Sequence, residues 1–288
     1  MNTYTFTADE KQIKEILNNF KNISSNNKNP YLKYQIKDND VVINIYTSNK
    51  VVIQGNNAEY YHNKFNITNK KITLPQAGSD EVGTGDFYGP ICVCATYIDD
   101  QAYQHIKKYN IDDSKKLTDD YIKEITPYII KEIKYSILIL PNSKYNNVIK
   151  KYNLNAIKAI LHNQAYINLI KKDIQLPPLT VVDDFCGENL YYKYLKEQKE
   201  IISNLTFQTK AESDFISVGC ASIISRYCFL NEMDEMNKKY GMIFPKGASS
   251  LCEQQGKEFI KKFGIDELKN VCKTNFKNYQ RLFDDNIL

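Results

Sequence analysis

No stretch of the 288 residues approaches the roughly 20 consecutive apolar residues that a bilayer-spanning helix needs, so a helical membrane protein is excluded. The opening residues, MNTYTFTADEKQ, hold no basic segment followed by an apolar one, so no secretory signal is expected and a cytoplasmic protein is. The seven cysteines form no CxxC pair, which removes zinc ribbons and redox motifs, and in a chain this long they make no disulfide framework. Cys92, Cys94, Cys220 and Cys228 lie in apolar contexts and are expected as small core residues. A GK[ST] phosphate loop is missing. So is a dinucleotide fingerprint: in GTGDFYGP the third glycine comes one residue too late, and Pro90 stands where a helix should run. The histidines His62, His105 and His162 are scattered, and none is expected to be catalytic; His162, inside a helical segment, reads as structural. There is no internal repeat.

What is present is an ordinary globular composition, 42% hydrophobic and 25% charged, long enough for one large domain or a large and a small one. The net charge of +4 is modest but unevenly placed. Residues 1–73 carry ten lysines, no arginine and six acids, so all of the excess lies in the first quarter and the rest balances to zero. That distribution suits an N-terminal part that grips phosphates ahead of a part that gathers carboxylates.

The first segment reads as a small α+β module. Ile13, Ile16, Leu17 and Phe20 have helical spacing, and YLKYQIK, VVINIYT and KVVIQG are short strands divided by polar turns. A polar stretch from Asn63 to Lys71 reads as a linker, giving expected domains of 1–70 and 71–288. Beyond it, candidate strands ICVCATYI, YSILIL and LTVVDDF alternate with candidate helices LNAIKAILHNQAYINLIKK and ISVGCASIISRYCFLNEM, the pattern of an α/β domain. In the last helix Ile216, Cys220, Ile223, Ile224 and Cys228 trace one apolar face.

Chemistry concentrates in three acidic sites. In GSDEVGTGDFYGP, residues 78–90, Asp80 and Glu81 are followed by three glycines. Adjacent carboxylates repel unless a cation binds or a pKa rises, and hard divalent ions favour such oxygen ligands. Strand neighbours point to opposite faces, so the two converge only if the strand bends or ends near Glu81; Gly83, Gly85 and Gly89 are expected to allow that bend. Asp183 and Asp184 close the apolar run LTVVDDF at a strand end, with one of them expected to face the cluster. Glu212 precedes an expected helix cap at Ser213 or Asp214, where it is either a first-turn acid favoured by the helix dipole or a member of the cluster.

GSDEVGTGDFYGP, DDSKKL at 112–117, NLNAIKAILHNQA at 153–165 and TKAESDFISVGCASIISRY at 209–227 together closely resemble bacterial ribonuclease HIII, in the family's order and across nearly the whole chain. The resemblance implies a ribonuclease H-like catalytic domain, a mixed central sheet flanked by helices, preceded by a small α+β domain like the TATA-binding protein. It implies an endonuclease that cuts the RNA strand of RNA/DNA hybrids and leaves 5′-phosphate and 3′-hydroxyl ends. Two Mg²⁺ or Mn²⁺ ions about 3.5 to 4 Å apart would serve the chemistry. Residue by residue it makes Asp80, Glu81, Asp183 and Glu212 the four acids, with Asp80, Glu81 and Asp183 as metal ligands. Where the family reads Asp-Gln-Phe this chain has Asp183, Asp184 and Phe185, so Asp183 takes the aspartate's place and Asp184 stays the alternative. Gly219 and Cys220 replace a family preference for alanine, a departure expected to touch packing alone. The resemblance further implies that Gly83, Thr84 and Gly85 contact the RNA 2′-hydroxyls, which alone mark RNA at a given site. Lys115, Lys116, Lys210 and the loop PKGASS, with Ser249, are candidate phosphate contacts. Tyr31, Tyr34, Lys50 and Gln54 of the first module are candidate hybrid contacts. No protein partner is implied, and a monomer is expected. A binding protein without catalysis would lack one of the acids; a nucleotide phosphatase would need no basic module; a type II ribonuclease H would usually lack that module and carry Arg where Thr84 stands.

Overall fold

Alternation along one strand, β6 (Gln76–Val82), organises the larger part of the molecule. Gln76, Gly78, Asp80 and Val82 turn one way; Ala77, Ser79 and Glu81 turn the other, as period-two geometry requires. The strand sits at the centre of a mixed sheet of order β10-β9-β6-β7-β8, with β7 at Ile91–Ile98, β8 at Lys134–Leu140, β9 at Thr180–Asp183 and β10 at Thr206–Gln208. β6, β7 and β8 run antiparallel, while β9 and β10 are parallel to β6. The computed structural model describes residues 2–25, 29–38, 40–65, 72–109, 111 and 117–283. It divides into two units, Met1–Lys71 and Ile72–Leu288.

In the first unit, β1 (Asn2–Thr7), β2 (Ile23–Ser24), β3 (Leu32–Asp38), β4 (Val41–Tyr46) and β5 (Lys50–Gly55) form an antiparallel sheet of order β1-β5-β4-β3-β2. Two helices, α1 (Glu10–Asn18) and α2 (Ala58–Phe65), cover one face, burying Ile13, Ile16 and Phe65 against Ile36, Ile43, Ile45, Val51 and Ile53. Each such aliphatic side chain contributes roughly 1.5–3 kcal/mol. Helix α1 starts at a capping box in which Asp9 and Gln12 satisfy each other's backbone N–H. The three expected strands are present. β1 was not among the expected strands although its threonines alternate with Tyr4 and Phe6, which pack against this core, and α2 occupies the start of the stretch expected as a linker.

In the second unit the helices are α3 (Asp100–Ile106), α4 (Asp119–Glu132), α5 (Asn142–Val148), α6 (Leu154–Ile170), α7 (Glu188–Tyr194), α8 (Ile216–Tyr240), α9 (Ser250–Phe263), α10 (Ile265–Leu268) and α11 (Lys277–Arg281). Helix α8 packs on the Asp80 face of the sheet, where Cys94, Ile98, Cys220, Ile223 and Ile224 join residues of α3 and α4 in one core. Helix α6 packs on the Glu81 face with Ala77, Ala95, Val182 and Tyr166. The expected apolar stripe on α8 understates its burial: Ser217, Val218, Gly219 and Ala221 are buried too, because sheet, α4 and the turn before the helix enclose its first half. The seven cysteines are free, four of them in the places anticipated: Cys92, Cys94 and Cys220 are buried and Cys228 half-buried. Among the described residues no helix is long and apolar enough to cross a membrane.

Candidate active site

Strand β6 carries the first two acids to the middle of the sheet without bending. Its pairing with β7 is regular through Asp80↔Cys94, Glu81↔Val93 and Val82↔Cys92, so of the two expected alternatives the strand does not bend but ends at Val82, one residue past Glu81. The glycines act after the strand. Gly83 has φ +95°, and a side chain there would stand 2.1 Å from the Pro90 carbonyl oxygen, so this position must be glycine for internal reasons. Gly83 is buried, Thr84 half-buried and Gly85 exposed, so a ligand reaches this loop most readily at Gly85.

Asp80 and Glu81 therefore occupy different surroundings. Asp80 faces α8, where the Ser222 hydroxyl bonds its carboxyl, and it is only 8% exposed. Burial, reinforced by the charges of Glu81 and Asp183, pushes its pKa up to about 8. Glu81 faces α6, where one oxygen pairs with the Lys158 ammonium and the other accepts from His162 Nε2 at 2.9 Å. Burial would raise its pKa, but the His162 hydrogen bond and charge, together with Lys158, outweigh that and hold it below the usual range. The far side of the imidazole meets Ser79 Oγ at 2.7 Å, and His162 is wholly buried. A carboxylate only accepts, so Nε2 carries a proton toward Glu81, and Nδ1 pairs with the serine hydroxyl.

Sequence reasoning missed Lys158 and His162 as site residues. They stand four residues apart on α6, within the motif NLNAIKAILHNQA, and that i, i+4 spacing on one helix face was the available signal. The helix's capping residue, Asn153, accepts from Ala156 N at 2.9 Å and sets where α6 begins.

At the end of β9, Asp183 Oδ1 accepts from the Ala211 N–H at 2.9 Å, tying the strand to the short 3-10 turn Ala211–Ser213 that holds Glu212. Glu212 is 2% exposed. The following helix begins at Ile216 with Phe215 at its cap, so neither Ser213 nor Asp214 caps it as expected. A side chain at Gly219 would begin 3.0 Å from the Ile111 side chain and 3.2 Å from the Glu212 carbonyl oxygen, so the departure from the family's alanine bears on packing, including packing against the Glu212 backbone. Asp184 is engaged elsewhere. Its Oδ1 accepts from Cys186 N at 3.0 Å and Gly187 N at 2.6 Å, closing the turn into α7.

The glycine-rich loop is joined to the PKGASS loop by Phe87 N to Gly247 O at 2.8 Å and by Gly247 N to Asp86 Oδ1 at 2.6 Å. From behind, the buried Lys273 ammonium donates to the carbonyls of Asp86 and Gly89 at 2.7 and 2.6 Å. Beside Ser222 opens a cleft of about 370 Å³ lined by Val82, Asp86, Asp119, Arg226 and Lys246, in which Arg226 and Lys246 both pair with Asp119. Ser249 and Lys210 are exposed, Lys210 in a left-handed conformation at φ 56°. Lys115 and Lys116, with the rest of the DDSKK segment, lie outside the described residues.

In the first unit the face away from the helices presents Thr3, Thr5, Gln35, Asn44, Val52 and Gln54, with Gln35 Nε2 donating to Asn44 Oδ1 at 2.9 Å. Lys50 and Gln54 lie on this open face and Tyr31 is 71% exposed, but Tyr34 pairs with Ile45 and packs on the helix side, against the expectation of a contact residue.

As placed, no three His, Cys, Asp or Glu side chains among the described residues close around an ion, and both oxygens of Glu81 are engaged by α6. The donor set still suits a hard divalent cation: it is all carboxylate, and the Asp80 pKa is raised by burial and by neighbouring negative charge, the second of which a cation would offset.

Residues 77–279 match the family model for Ribonuclease HII, and residues 4–75 match a domain of unknown function (DUF3378). The chain is 34% identical to Ribonuclease HIII of Streptococcus pneumoniae (strain 70585), covering 98% of each, and 35% identical to that of Streptococcus pyogenes serotype M4, covering 96% of this chain and 97% of the relative. The chain belongs to the ribonuclease HIII family. As a member it is an endoribonuclease, a hydrolase with a ribonuclease H-like fold. Among solved structures, Bst-RNase HIII in complex with Mn²⁺ is similar over 98% of both chains, with 30% identity and a TM-score of 0.75.

Proposed function

We propose that this ribonuclease HIII cleaves the RNA strand of RNA/DNA hybrids with two divalent ions, Mg²⁺ or Mn²⁺, leaving 5′-phosphate and 3′-hydroxyl ends. The observation that carries the reading is the buried Asp80 carboxyl with the charges of Glu81 and Asp183 acting on it, an arrangement of acids that a divalent cation relieves. Asp80, Glu81 and Asp183 would hold the ions, with Glu212 beside Asp183 on the turn that its hydrogen bond anchors. When bound, such ions lower the pKa of a coordinated water and stabilise a leaving 3′ oxygen. Asp183 is favoured over Asp184 because the latter is spent on the turn into α7.

The remaining roles fall to the protein's own groups. Lys273 and Asp86 hold the glycine-rich loop in place, so that the exposed backbone at Gly85 meets the RNA strand, with Thr84 beside it. Lys210 and Ser249, both exposed, together with Lys115 and Lys116, would take phosphates. The open sheet face of the first unit, polar and bearing Lys37 and Lys50, is the surface suited to the hybrid's backbone. The test is Asp80→Asn. Hybrid cleavage falls by roughly a thousandfold or more, about 4 kcal/mol of transition-state stabilisation, while the circular dichroism spectrum stays unchanged; near-normal cleavage would overturn the assignment.

A further inference from the structure

Glu81 is a candidate ligand whose oxygens are both already bound, and the groups that bind them lie on a single helix. The Lys158 ammonium pairs with one oxygen, His162 with the other, and Ser79 fixes the imidazole from behind. The Lys158 side chain is 9% exposed and that of Glu81 is 11% exposed, so this is an interior ion pair. An ammonium taken so far out of water is expensive to hold without an anion, and so is the carboxylate without a cation. The lysine has a second seat: its Nζ lies 3.9 Å from the centre of the Phe185 ring, two residues from Asp183. An aromatic face can hold a desolvated ammonium when its carboxylate partner is drawn away.

We propose that Lys158 is the resident counter-cation of Glu81, keeping that carboxylate ionised and placed in the metal-free enzyme and yielding it when a divalent ion arrives, while His162 keeps its hold. The ammonium then remains over Phe185. Ion binding at this site is an exchange of one cation for another, and Lys158 competes with the ion. The inference rests on Glu81 being a metal ligand, and its test separates the two.

Mn²⁺ affinity of the full-length protein is measured by the resonance signal of free Mn²⁺, without substrate. Lys158→Gln is expected to bind Mn²⁺ more tightly, by about tenfold, since the competing charge is gone. Lys158→Arg, which keeps the charge, is expected to stay within about threefold of the wild type. Glu81→Gln is expected to bind more weakly. If Glu81→Gln changes nothing, Glu81 is not a ligand and the functional reading fails at this residue. If Glu81→Gln weakens binding but Lys158→Gln does not tighten it, the lysine is a structural partner only and the exchange is wrong. Should Lys158→Gln fail to fold, the unmodified protein decides. On titration with Mg²⁺ the Lys158 ¹³Cε resonance shifts if the ammonium leaves Glu81, and a resonance that stays still overturns the proposal.

Discussion

The two faces of β6 show how one residue of sequence separates two electrostatic surroundings. On the α8 side, Asp80 has a serine hydroxyl and two neighbouring acids, and it is pushed to about 8. On the α6 side, Glu81 has Lys158 and His162 and is held low. Burial acts on both in the same direction, so the difference comes from which helix covers which face. On the proposed reading, one of the two carboxylates needs a cation and the other already has a substitute in Lys158.

The comparison breaks most visibly through stability. Glu81→Ala strands Lys158 in the interior and should destabilise the metal-free protein by roughly 3–5 kcal/mol. Asp80→Asn, by contrast, removes a carboxyl whose charged form the fold disfavours and should raise metal-free stability near neutral pH, which denaturant titration in the presence of a chelator reads directly; equal losses in both variants would erase the distinction.

The pH dependence should carry opposite signs. Asp80 binds its proton more tightly folded than unfolded, so in chelator its contribution makes stability fall as pH rises from about 4 to about 8. Glu81, depressed, contributes stability that is full above its ordinary value of 4.5 and is lost as pH falls through its lower folded value. Asp80→Asn should flatten the upper slope and leave the acid limb in place, as thermal melts across this range would show.

A smaller effect separates the two glycines of the loop. Gly83→Ala forces a side chain against the Pro90 carbonyl and should cost about 1–3 kcal/mol, whereas Gly85→Ala enters open space and should change stability by under about 0.5 kcal/mol. A loss of hybrid cleavage in Gly85→Ala without loss of stability would mark the exposed backbone as the RNA contact. Least of all, Lys37→Ala with Lys50→Ala on the open sheet face should weaken hybrid binding by about tenfold at low salt and reduce the salt slope by about 2, with kcat unchanged. An unchanged slope would mean that this face does not meet phosphates.

Much of this was legible in the chain. The strands Ile91–Ile98 and Thr180–Asp183 and the helix Leu154–Ile170 announced themselves by apolar runs and period, and the β3–β5 meander by its turns. β1 was missed although Thr3, Thr5 and Thr7 alternate with Tyr4 and Phe6, because the pattern is short and its strand lies at the sheet edge, fixed only by its pairing with β5. Tyr34 was misplaced because a register shift between Leu32 and Tyr34 decides which face it takes.

By itself the sequence determined which residues carry charge, which lie one or four apart, and that Asp80 and Glu81 must face opposite ways in a straight strand. Only the tertiary structure decided that β6 stays straight, that α6 rather than α8 brings a lysine and a histidine to Glu81, and that Asp184 is used up by a turn. The reason is physical. Period and propensity act between neighbours along the chain, whereas a pKa is set by whatever the fold packs around a group, and those partners lie 77 and 81 positions away in sequence.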